Sequence, residues 1–349
     1  MASLGTFVLI LIFAASAAAI WLAGSRLSSS TDALDTRLGL GSALGGLLLL
    51  ALATDLPELA ITITAALHNN LGLAVGNLLG GIAIQTLVLA ALDAGAGRER
   101  PITYMVGSLL LVLEGALVAV VTVMAIMTAQ LPVKTQLLGV SPGTIAIVVV
   151  WIAGLKLVAR ARSNMRWEVK AQGAQPGRTH AQRRSEDPRP HKQHRTRTVA
   201  LIFAAAAGVT LVAGVLIEMS GDQLAGRAGV SGPVFGATFL AAATALPELS
   251  TGLAAVRDGD TQLAMSDIFG GNAVLPALFI FADVLGNRPA LPAAARTDIW
   301  IAGLGVVLTG IYIAGVVMRP QRTFWRLGPD SIAAIVVYAL GIAGLLLVG

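Results

Sequence analysis

Ten apolar runs divide this chain, each close to or above the roughly 20 residues a helix needs to cross a hydrocarbon core of about 30 Å. They fall at 5–23, 39–67, 71–92, 104–125, 141–159, 198–219, 232–256, 261–284, 297–317 and 330–348. A mean hydropathy of +0.79, with only 12% of residues charged, leaves water no place as the main solvent. The length of the runs selects helices, so the expected fold class is an all-α integral membrane bundle of about ten transmembrane helices. The first run has no positive n-region and no convincing cleavage site, and it counts as a transmembrane helix rather than a signal peptide. The chain has no cysteine, which excludes disulfides and thiolate metal sites.

The formal charge of +5 would suit nucleic acid if it were spread over a surface, but it is not. Between Arg160 and Arg197, eleven Lys or Arg stand against Glu168, Glu186 and Asp187, among Pro176, Pro188 and Pro190. Such a stretch reads as a disordered basic linker between two membrane halves, 1–159 and 198–349. Two readings of it stand, a topogenic loop held in the cytoplasm and a contact for anionic membrane lipid; nucleic acid is not an expected partner. With both termini outside, 20 of the 24 Lys and Arg lie on the linker side, which satisfies the positive-inside rule. The expectation is a multi-pass cell-membrane protein with a cytoplasmic linker. Five spans precede that linker, so the second half enters the membrane upside down relative to the first.

Comparison of the chain with itself supplies the next constraint. A shift of 190 residues aligns Gly46–Asp93 with Gly236–Asp283 without a gap and with 16 identities in 48 positions. Ala53, Thr54, Leu56, Pro57, Glu58 and Leu59 meet Ala243, Thr244, Leu246, Pro247, Glu248 and Leu249; Gly80 and Gly81 meet Gly270 and Gly271; Asp93 meets Asp283. Chance likeness between apolar helices would match Leu and Ala, not Pro-Glu pairs in register. The repeats, about 39–93 and 229–283, therefore form an inverted-topology pair of five-helix halves, an architecture of secondary transporters. Pro57 and Pro247 lack an N–H and break their helices, which frees carbonyls about one turn earlier. Breaks of this kind survive in lipid only against protein, water or an ion. The carbonyls near Ala53, Thr54, Ala243 and Thr244 are candidate cation ligands.

Glu58 and Glu248 each sit near the middle of an apolar segment with no Lys or Arg in the same helix to pair with them. An ionised carboxylate in that place needs a bound cation or a proton. Two carboxylates with hydroxyls and carbonyls make the hard, oxygen-only shell that suits Ca²⁺. Asp55 lies three residues before Glu58, close enough on a helical turn for the two carboxylates to share a proton; a place in an aqueous vestibule is the alternative. The paired glycines admit close helix packing or room for an ion. Asn77 and Asp267 suit structural hydrogen bonds or ion ligation. Glu114 reads as midway along the fourth span, either a proton-relay group or a carboxyl hydrogen-bonded to a neighbouring hydroxyl. Asp93 and Asp283 read as interfacial, and His68 as solvated.

The segments ATDLPEL with GNLLGG, and ATALPEL with SDIFGG, resemble the two alpha-repeats of the Ca²⁺:cation antiporter superfamily, which includes sodium/calcium exchangers. The family pattern runs roughly GTSLPE and then GNxxGSN followed by a further Asn or Asp. The resemblance implies that Glu58 and Glu248 bind the cation, with Thr54 and Thr244 beside them, and it brings Gln85 to the position of the final Asn or Asp. It also marks departures. Asp55 and Ala245 replace the two first serines, Gly81 and Gly271 replace the later ones, and Leu275 stands where Gln85 stands in the other half. Loss of hydroxyls at sodium positions implies fewer bound Na⁺, and proton coupling or a mixed Na⁺ and H⁺ mode instead of three-sodium exchange. The function expected is a cation antiporter exchanging Ca²⁺, or a related cation, for Na⁺ or H⁺ by alternating access. A passive cation channel and a non-transporting ion-binding homologue are the alternatives. No covalent cofactor is expected, and no nucleophile–base constellation or phosphate loop points to an enzyme.

Overall fold

The computed structural model describes residues 1, 3–38, 53–96, 100–106, 108–134, 136–137, 139–164 and 196–348. Among these residues there is no strand, and eight helices are long and apolar enough to cross a membrane. Two shorter apolar helices, Leu56–Leu67 and Pro329–Leu345, bring the number to the ten expected. The first half contains α1 (Thr6–Leu38), α2 (Leu56–Leu67), α3 (Leu71–Gly95), α4 (Leu110–Thr128) and α5 (Pro142–Asn164). The second contains α6 (Thr196–Ala228), α7 (Leu246–Arg257), α8 (Thr261–Val274), α9 (Arg296–Met318) and α10 (Pro329–Val348). Short pieces at Gly232–Phe235, Gly236–Leu240 and Ala241–Thr244 lead into α7, and α8 continues through Leu275–Leu278 to Phe279–Gly286.

Several hydroxyls within these apolar helices are satisfied locally. Thr64 donates to the Ala60 carbonyl at 2.8 Å, Thr86 to Ile82 at 2.7 Å, Thr122 to Val118 at 2.7 Å and Thr309 to Gly305 at 2.8 Å. Each bond lies within its own helix, so the polar side chain makes no demand on lipid.

Both α1 and α6 are 33 residues long, about 50 Å at 1.5 Å per residue, and they lie against each other. Each meets the broken helix of the opposite half through a glycine. A methyl group on Gly24 would stand 2.5 Å from Pro247 Cβ, and one on Gly214 would stand 2.7 Å from Ala60 Cβ and 3.1 Å from the Pro57 carbonyl oxygen. Gly24 and Gly214 are themselves 190 residues apart, so the repeat reaches further than its continuous alignment. Along α3, Gly76 and Gly80 let the backbone approach Pro233 and Ala237 closely, which is the packing role expected of small residues.

Two aspartates, read from the sequence as interfacial, are buried and tie the halves together. Asp93, 2% exposed, accepts from the Ile102 N–H at 2.9 Å, the Gly328 N–H at 2.6 Å and the Ser331 hydroxyl at 2.8 Å. Asp283, fully buried, accepts from the Ala290 N–H at 2.7 Å and the Ser141 N–H at 3.0 Å. Each therefore binds the start of the next turn in its own half and the N-terminus of the fifth helix of the other half. Orphan N–H groups at helix starts favour this placement of a carboxylate.

Element boundaries differ from the sequence reading at three places. The first helix continues to Leu38, because Ser28, Ser29, Ser30 and Thr31 are polar without breaking a helix. In place of one span at 104–125, a short turn at Ile102–Met105 precedes α4, and Glu114 is only the fifth residue of that helix. Helix α5 continues to Asn164 and α6 starts at Thr196, inside the limits drawn for the linker. The remainder of the linker, 165–195, and the opening of the second span, 39–52, lie outside the described residues.

Candidate ion-binding site

The two Leu-Pro-Glu segments adopt the same local geometry. Asp55 (φ −81°, ψ 5°) and Ala245 (φ −75°, ψ 1°) cap α2 and α7, and the proline follows in the first turn, where a missing N–H costs least. Glu58 and Glu248 then fall in the first turns, where the positive end of the helix dipole faces a carboxylate. Pro57 and Pro247 have no N–H to give the carbonyls of Ala53 and Ala243. Those two residues are 3% and 7% exposed, and Thr54 and Thr244 are 1% and 0% exposed.

Packing of the halves brings the two breaks together. Carboxylate oxygens of Asp55, Glu58 and Glu248 lie within 4.8 Å of one another. The aqueous vestibule considered for Asp55 is ruled out by its 2% exposure, and both glutamates are fully buried. Gln85 donates its amide to Glu58 Oε1 at 3.2 Å, while the Thr244 hydroxyl donates to the Ala241 carbonyl of its own half at 3.2 Å. Both oxygens of Asp55, both of Glu248, Oε2 of Glu58 and Oε1 of Gln85 are buried without a hydrogen-bond partner. Buried oxygens cost free energy when left unsatisfied, so this group is suited to a cation or to protons. Six such oxygens match the number and hardness of ligands a Ca²⁺-sized ion takes.

The site departs from two-fold symmetry in a particular way. A methyl group on Gly271 would lie 3.3 Å and 3.4 Å from the two Asp55 oxygens. The carboxylate of Asp55 therefore stands beside the glycine that has no hydroxyl to offer. At the repeat-related place, a methyl group on Gly81 would meet Leu275 Cδ1 at 3.0 Å, and the cap is Ala245. One side of the site is carboxylate and the other is apolar.

A second layer of polar groups surrounds this cluster, and sequence reasoning missed most of it. Asp267 interacts electrostatically with Asp55 and Glu248, and it accepts from the Thr251 hydroxyl at 2.8 Å. The Thr251 hydroxyl is also 3.2 Å from the Glu248 carbonyl. Asn272 donates to Thr86 at 2.9 Å, joining α8 to α3 behind the glutamates. Thr251 lies three residues after Glu248, the spacing of one helical turn, and that was the available signal. Glu114 is hydrogen-bonded by Ser266 at 2.6 Å. His68 is 54% exposed, as expected, and stands 3.8 Å from Glu218.

The model of the family described as sodium/calcium exchanger protein matches residues 8–159 and 197–347. The inner membrane protein YrbG of Escherichia coli (strain K12) is 28% identical over 277 residues, covering 78% of this chain and 76% of its own. The putative antiporter CaxA of Alkalimonas amylolytica is 27% identical over 253 residues, 72% of each chain. Among solved structures, an H⁺/Ca²⁺ exchanger CAX superposes with a TM-score of 0.68 at 13% identity, over 97% of this chain and 82% of that one. The sodium-calcium exchanger NCX_Mj, soaked with 10 mM Na⁺ and 10 mM Sr²⁺, gives 0.61 at 13% identity over 97% and 99%.

Proposed function

The chain belongs to the sodium/calcium exchanger family and is a secondary cation antiporter, not an enzyme; from that premise we propose that it exchanges a Ca²⁺-like divalent cation for protons at Asp55, Glu58 and Glu248. The observation that carries this reading is the approach of three buried carboxylates to within 4.8 Å. At that separation, with an effective dielectric constant of about 20, each pair of like charges repels by roughly 3 kcal/mol. Three charges held together in the absence of a cation are resolved by protons. A divalent ion supplies two positive charges to the same oxygens and releases protons as it binds. Divalent binding and protonation are then mutually exclusive, which is the requirement for exchange.

The ligands argue against sodium as the main driving ion. Sodium needs several weak neutral oxygens, and Ala245, Gly81, Gly271 and Leu275 offer no side-chain oxygen. The fold alone does not choose, since one solved structure of this shape is an H⁺/Ca²⁺ exchanger and another a sodium-calcium exchanger. Asp55 beside Gly271 favours the first. Alternating access about the proline breaks follows from the inverted repeat.

Uptake of Ca²⁺ into proteoliposomes, with the membrane potential clamped, separates the cases. Uptake should follow an imposed pH gradient. Uptake that follows a Na⁺ gradient steeply and ignores pH would overturn proton coupling.

A further inference from the structure

Outside the ion cluster, Glu114, Glu218, Asp298 and Asp330 are buried carboxyls that belong to no break and to no repeat-related pair, and the first of them is joined to α8. Glu114, on α4, is 7% exposed and its Oε2 lies 2.6 Å from the Ser266 hydroxyl on α8. Ser266 is followed directly by Asp267, which accepts from Thr251 on α7 and interacts electrostatically with Glu248 and Asp55. A line of polar residues, Glu114, Ser266, Asp267 and Thr251, thus crosses α4, α8 and α7, with the Thr251 hydroxyl beside the Glu248 carbonyl. Glu114 is the fifth residue of α4 and Ser266 the sixth of α8. Arg162, in the last turn of α5, is a charged neighbour of Glu114 and also faces Asp260 at the start of α8. Arg162 adjoins the linker, so Glu114 lies towards the linker side of the molecule.

The repeat-related positions on the other side carry none of this chemistry. Leu304 stands for Glu114, Gly76 for Ser266, Asn77 for Asp267 and Ile61 for Thr251. The line exists in one half-orientation only.

We propose that Glu114 is the linker-side terminus of a proton path, and that Ser266 and Asp267 connect it to the ion site. This rests on the proton-coupled reading above. Each step passes a proton from one oxygen to the next, and the serine hydroxyl gives one up as it receives another, so no oxidant or other co-reactant is involved. Glu114 touches no cation in this role. The path serves only the proton half of the exchange.

That division of labour gives the test. Purified full-length protein in potential-clamped proteoliposomes is assayed for pH-gradient-driven Ca²⁺ uptake and for exchange of isotopically labelled Ca²⁺ against unlabelled Ca²⁺, which moves no net proton. Glu114→Gln keeps the size of the side chain and an acceptor for Ser266. It should slow the pH-driven mode by about 10²-fold, the scale of losing a positioned proton-transfer group, and leave Ca²⁺–Ca²⁺ exchange near wild type. Ser266→Ala should do the same to a smaller degree. Equal rates for Glu114→Gln and wild type in the pH-driven mode would overturn the path. Parallel loss of both modes would also overturn it, because Glu114 would then be holding the fold. A wild-type protein that exchanges Ca²⁺ but ignores pH would refute the proton-coupled reading itself, a result distinct from either.

Discussion

Asp55 is the residue at which this chain parts from its own symmetry. Its repeat partner is Ala245, yet its carboxylate fills the space beside Gly271 and joins Glu58 and Glu248 within 4.8 Å. Replacement of Asp55 by Asn should lower the number of protons released per Ca²⁺ bound, measured by calorimetry in buffers of different ionisation enthalpy. Glu58→Gln and Glu248→Gln should each abolish Ca²⁺ binding while the melting temperature holds or rises, since each removes a buried charge without a counter-ion; binding retained in either would sink the shared site. Protons and the cation compete for the same oxygens, so apparent Ca²⁺ affinity should fall as pH falls, and a flat pH profile would contradict the cluster. The two glutamates were legible in the sequence because each stands in a duplicated Leu-Pro-Glu within an apolar run. The pairing of Asp55 with Gly271 was not, because it crosses from one repeat to the other and leaves no spacing to read.

At the scale of elements, the glycine contacts of the long helices set how closely the halves can approach. Gly24 stands against Pro247 and Gly214 against Pro57 and Ala60, with no space for even a methyl group. Gly24→Ala and Gly214→Ala should each destabilise the protein by about 1–3 kcal/mol through overpacking, read as a lowered thermal midpoint in detergent. Substitution at Gly303, which meets nothing within 4 Å, is the control and should leave the midpoint in place. Helix existence and the breaks at Pro57 and Pro247 were readable from hydropathy and proline alone. The start of α4 was not, although Gly107 and Ser108 stand in the sequence between the turn at Ile102–Met105 and the helix after it. That misplacement put Glu114 at mid-membrane instead of close to one end. The aspartate ties were equally hidden, because Asp93 and Asp283 look like helix-end residues until the opposite half is packed on them.

At the scale of the whole molecule, charge segregation predicts an orientation that can be tested directly. Cysteines introduced into the basic stretch of this cysteine-free chain should resist a membrane-impermeant reagent in sealed cells, and those placed near Arg288 should react. The ties made by Asp93 and Asp283 carry a different consequence. Asp93 of the first half holds the α10 N-terminus of the second, and Asp283 of the second holds the α5 N-terminus of the first. An interface in which each member offers the other the same patch is that of an isologous dimer. The halves therefore stand as two subunits of an antiparallel pair that happen to share one polypeptide, with the basic stretch as their tether. Expressed as separate chains in one cell, 1–164 and 196–349 should find each other and co-purify, and Asp93→Ala together with Asp283→Ala should dissolve that partnership.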